Sequence, residues 1–115
     1  MYKSAYTDMV IDAPEEARAK EREAIERSVD LMRAAQAAGP NSREAMVALN
    51  FLRELWTILI SDLASPQNGL PPVLRGQLIS VGLSIMRQAD DIRLERHQDF
   101  AELIEISRLI MEGLK

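Results

Sequence analysis

The sequence predicts an all-α fold: a single-domain antiparallel bundle of about four helices over 1–115, behind a short N-terminal arm over 1–12. Three observations carry this. Breaks rich in Gly, Pro, Ser and Asn divide the chain into stretches of helical length. Hydrophobic residues make up 47% but aromatics only 4%, so Leu, Ile, Val, Met and Ala must fill the core, a composition that suits helices better than strands. Alternating strand patterns, internal repeats and linkers long enough to divide domains are all missing.

The first helix is expected over about 14–38. Pro14 suits an opening turn, where its missing N–H would have no partner, and Gly39-Pro40 stops the helix. Its face is mostly charged, with a modest stripe of Ala24, Ile25, Val29, Leu31, Met32 and Ala35. Opposite charges three or four apart, such as Glu16 with Lys20 and Glu23 with Arg27, read as solvated helix pairing.

Asn41 precedes Glu44 by three residues, a capping-box spacing that opens the second helix, about 42–64. Its polar residues Asn50, Arg53, Glu54, Thr57 and Ser61 share one narrow face. Ala45, Met46, Leu49, Leu52, Leu55, Trp56, Leu59 and Leu63 cover most of the rest, so neighbours are expected on several sides.

The turn-rich run Ser65 to Pro72 ends that helix, and a third follows over about 73–96. Leu78, Gly82, Ile85, Ala89 and Ile92 form a seam at alternating spacings of four and three, with Ile79, Leu83 and Met86 beside it. Gly82 costs about 1 kcal/mol of helix propensity relative to alanine, which predicts close approach of another helix, internal or from a partner. Asp99 and Glu102 repeat the capping spacing before a fourth helix, about 100–112, with a wide apolar arc from Phe100 to Leu114.

Catalytic and metal-binding chemistry is not expected, nor is any cofactor. His97 is the single histidine and there is no cysteine, so a zinc site would lean on carboxylates. Leu94 stands three before His97, where a di-iron bundle would place Glu. His97 reads most simply as an exposed residue near a helix end. The pairs Glu15-Glu16 and Asp90-Asp91 are adjacent on their helices and do not face each other. A formal net charge of −4 argues against direct nucleic-acid binding. The apolar run Ile58-Leu59-Ile60 ends at Ser61-Asp62, far short of a membrane span, and the first residues lack a signal-peptide pattern, so a cytoplasmic protein is expected. What remains is protein binding. Met32, Met46, Met86 and Met111 sit at apolar positions and suit core filling or adaptable contacts. Tyr2 and Tyr6, both tyrosines of the chain, lie in the arm, where they could pack on the bundle or dock a partner.

The chain resembles the FlaF family of bacterial flagellar biosynthesis regulators along nearly its full length. The resemblance rests on Tyr2 with Ala5-Tyr6 and on a middle section. That section comprises Arg53-Glu54-Leu55-Trp56, Asp62-Leu63, Pro66, Asn68, Leu70-Pro71, Leu74-Arg75 and Leu78-Ile79-Ser80-Val81-Gly82-Leu83. Leu103-Ile104-Glu105-Ile106, Ile110 and Gly113-Leu114 extend it to the end. One departure is Ser84, where family members often carry an aromatic residue.

The resemblance implies a cytoplasmic protein needed for flagellin production and export. Flagellin is its implied partner and the regulator FlbT a second one. Two functional readings follow: a flagellin-binding chaperone and regulator, or a post-transcriptional regulator acting directly on flagellin mRNA. Candidate partner-binding residues are Tyr2, Tyr6, Arg53, Asn68, Leu70, Arg75, Leu78, Gly82 and Ile85. Trp56 is expected to be structural. Arg75, a cation at a helix start where it opposes the dipole, is expected nearer the functional surface.

Overall fold

The computed structural model describes residues 14–95 and 99–113, with side chains from Arg18 onward. Four helices account for nearly all of it: α1 (Pro14–Ala38), α2 (Arg43–Ala64), α3 (Pro72–Arg93) and α4 (Ala101–Gly113). No strand occurs among the described residues. The all-α expectation holds.

Each boundary has a local cause. Gly39 ends α1 with φ at 108°, a conformation that side chains resist, and its N–H reaches Ala35 O at 2.8 Å. Ser42 caps α2: its Oγ accepts from Ala45 N at 3.1 Å and donates to Gly39 O at 2.6 Å. The cap therefore sits one residue later than the Asn41–Glu44 spacing predicts, and Asn41 stays exposed in the turn. Pro72 starts α3 at the position where a missing N–H costs nothing. That helix stops at Arg93, three residues short of the expected end. Leu94 bonds back to Asp90 O, and Glu95 turns into the left-handed region at φ 62°.

The start of α4 is held from a distance. The Gln36 side chain, near the end of α1, accepts from Phe100 N at 2.8 Å and donates to Asp99 Oδ1 at 2.5 Å. Asp99 in turn accepts from Ala101 N at 2.8 Å. One amide thus fixes where the last helix begins.

α1 packs on α2, α2 on α3, and α4 on α1, while no comparable packing joins α3 to α4 among the described residues. The cross-helix bonds set the directions. Gln36 meets Phe100, Arg53 meets Asp90, and Arg75 meets the end of α2. α4 therefore runs antiparallel to α1 and α3 to α2, while the short turn from Gly39 to Ser42 folds α2 back along α1. One hydrophobic cluster draws on all four helices, including Ile25, Val29 and Met32 from α1, Leu52 and Trp56 from α2, Ile85 and Ile92 from α3, and Leu103 from α4, with Phe100 just before α4. Among the described residues α2 packs on α1 and α3: Met46 is 65% exposed, and Val47 and Ile58 are also exposed.

α4 covers only part of the bundle's length. Its 13 residues reach about 20 Å, against about 37 Å for the 25 residues of α1. Because α4 starts beside Gln36, among the described residues it does not reach the N-terminal turns of α1, the end of α2 or the start of α3.

Candidate partner-binding surface

The contact between α2 and α3 settles the role of the seam. Gly82 lies against Trp56: a Cβ there would stand 2.6 Å from ring atom Cε3 and 3.1 Å from Ile60 Cδ1. Real side chains do not tolerate such approach, so glycine at this position makes room for the indole. Trp56 is buried, as expected of a structural residue, although its Nε1–H has no hydrogen-bond partner among the described residues. Packing over the ring must offset that loss, roughly 1–3 kcal/mol. Gly82 and Ile85 are buried in this internal contact and present no surface to a partner.

Arg53 bridges the same pair of helices from outside. Its guanidinium donates to Asp90, which also accepts from Arg93 at 2.5 Å. The hydrogen bond from Arg53 lowers the Asp90 carboxyl below its ordinary range; partial burial opposes this, and Arg93 adds to the lowering. Both Arg53 and Asp90 remain well exposed, so the bridge is a surface pair. A hollow over Met86, between Arg53 and Arg93, has room for little more than a water molecule.

Asn68 and Arg75 order the connection between α2 and α3. Asn68 Oδ1 accepts from Leu70 N at 3.0 Å while its amide donates to Asp62 at 3.1 Å. Arg75 Nη1 donates to Ser65 O at 3.0 Å and approaches Leu63 O at 3.4 Å. Both carbonyls lie at the end of α2, where the helix supplies no partner of its own; Ser65 O also accepts from Asn68 N at 3.1 Å. A cation at the start of α3 is therefore well placed for the end of α2. Local stability does recommend Arg75, contrary to the reading from the dipole of its own helix.

Around this connection apolar side chains stay accessible. Leu70 and Leu78 are half-buried, Leu74 is 39% exposed and Val73 is 73% exposed. Leu63 is buried here but stands apart from the main core cluster. Val73 and Leu74 carry surface that sequence reasoning did not single out. Only the helical phase opposite the buried seam could have signalled Val73. Ser84, half-buried on α3, accepts a hydrogen bond from Gln88 at 3.2 Å. Tyr2, Tyr6 and His97 lie outside the described residues.

Among the described residues, no group of three His, Cys, Asp or Glu could hold a metal ion, and no helix is long and apolar enough to cross a membrane. The comparison with curated proteins and the comparison with solved structures return no match. The family model described as "Flagellar protein FlaF" matches residues 2–114, nearly the whole chain and every helix described above. The chain belongs to the FlaF family of flagellar proteins.

Proposed function

We propose that the protein binds flagellin in the cytoplasm as a chaperone-like regulator that supports its production and export. The observation that carries this reading is the exposed apolar surface at the start of α3, where Leu70, Val73, Leu74 and Leu78 share one end of the bundle. An amphipathic helix lying against such a surface would bury its own apolar face and be kept from aggregating before export. Family membership supplies the flagellar context. FlbT is a second candidate partner on the same grounds.

Arg75 and Asn68 act in this reading by fixing the loop that presents the leucines. Arg53 holds α2 to α3 and touches the partner at most at the rim. The mRNA reading has no basic surplus to support it, since the chain carries 14 Lys+Arg against 18 Asp+Glu.

Size-exclusion chromatography with light scattering, on the protein mixed with flagellin at micromolar concentration, tests the proposal. A one-to-one complex is expected. Two unshifted peaks would reject it.

A further inference from the structure

α4 is the last of the four helices and, among the described residues, buries fewer side chains than any other. Leu103 and Ser107 are buried out of 13 residues, against seven out of 22 in α2. The Ser107 hydroxyl has no hydrogen-bond partner among the described residues, so the middle of this buried face adds little hold. The seat of α4 is presented by α1. Gln36 bonds to Asp99 and to Phe100 N, and Val29 and Ile25 lie seven and eleven residues before it, on the same face of α1 and buried. A second copy of the chain presents the identical seat.

The corner that leads the chain to this seat is unmarked by residue type. Between Gly82 and Gly113 the sequence contains neither glycine nor proline, so no breaker compels a stop between α3 and α4. The turn is made at Leu94 and Glu95, and Glu95 adopts φ 62°, where its Cβ crowds the backbone. Among the described residues, no other non-glycine residue lies in that region. A strained connection before a terminal element favours exchange of that element between copies, because the strain is relieved while the contacts are remade.

We propose that α4 exchanges between two copies of this chain, each lending its α4 to the α1 seat of the other, in a dimer that equilibrates with the closed monomer. The bonds of Gln36 to Asp99 and Phe100 re-form across the pair, Leu103 is buried again, and both Glu95 corners are released. Dissociation restores both corners, so a substitution at Glu95 acts twice on the dimer constant. The exchange does not depend on flagellin.

Light scattering after size-exclusion chromatography, on the full-length chain up to millimolar concentration, reads the dimer constant. Glu95→Gly, which accepts the left-handed turn without strain, should weaken the dimer at least tenfold. Glu95→Val, whose branched side chain tolerates that turn least, should strengthen it at least tenfold. Glu95→Gly carries the test alone if Glu95→Val loses its helical circular dichroism. A cross-link separates exchange from side-by-side pairing. The chain has no cysteine, and the side chains of Gln36 and Asp99 touch, so Gln36→Cys with Asp99→Cys and a short bismaleimide ties α1 to the α4 seated on it. In denaturing electrophoresis, exchanged dimers should run as linked pairs and closed monomers as single chains. A protein monomeric at every concentration, a dimer constant indifferent to Glu95, or dimers whose cross-links stay within one chain would overturn the exchange.

Discussion

The two ends of this bundle are built differently. At the end where α1 turns into α2, Phe100 and Leu103 join Met32, Leu52 and Ile92 in one buried cluster, and Gln36 locks the fourth helix in place. At the other end α4 does not reach among the described residues, and polar bonds reinforce the packing of α2 on α3. Arg75 grips the carbonyls of α2, and Asn68 shapes the loop. Leucines of the same type therefore do different work. Leu103 is enclosed and holds the fold together, whereas Leu74 is accessible and is free to serve contact.

The sharpest way to break this comparison is to truncate one large side chain at each end. Phe100→Ala should cost about 3–5 kcal/mol. Leu74→Ala should stay within about 0.5 kcal/mol. Chemical denaturation of the two variants measures both, and equal losses would erase the distinction. Between the ends sits the contact of Gly82 with Trp56. Gly82→Leu should lower stability by about 1–3 kcal/mol through overpacking, outweighing the gain from replacing a helix glycine. At this chain length the melting midpoint should fall by several degrees. An unchanged or higher midpoint would mean that the ring can move aside.

The helix boundaries at both ends were legible in the sequence because their signals are local. Pro14, Gly39-Pro40 and the Pro-rich run before α3 act within a residue or two of where they stand. Two details escaped for local reasons. Asn41 and Ser42 are both good caps, and spacing to Glu44 chose the wrong one. Glu95 in a left-handed turn has no marker in residue type. The contacts that distinguish the ends span the chain and have no such markers. Gln36 and Phe100 are 64 residues apart, and the seat of Trp56 on Gly82 depends on the register between two helices. Reading Arg75 against its own helix missed the carbonyls of the neighbouring one. The seam itself was visible, but whether it faced inward or toward a partner was decided only by packing.

A smaller effect sharpens the closed end. Gln36→Ala should remove the clamp on α4 at a cost of about 1 kcal/mol, comparable to loss of a helix cap. Hydrogen exchange should quicken first at Phe100 and Ala101. If exchange there is unaffected, the clamp does not fix α4.

The smallest effect concerns the Asp90 bridge. Asp90→Asn should cost about 0.2–1 kcal/mol near neutral pH, as exposed pairs do. Because the folded-state pKa of Asp90 is lowered, its contribution is complete above the unfolded carboxyl value near 4 and fades as pH falls through the folded one. Stability curves of the two proteins should therefore be offset at pH 6–8 and converge on acidification. A constant offset down to pH 2 would remove the bridge from the account.

Flagellin affinity of two charge insertions tests the central claim most directly. Leu74 and Leu109 are both exposed, one at the open end and one on the outer face of α4. Leu74→Arg should weaken flagellin binding at least tenfold with little change in melting, while Leu109→Arg leaves binding intact. Binding that survives Leu74→Arg but is lost with Leu109→Arg would contradict the assignment of the open end as the working surface.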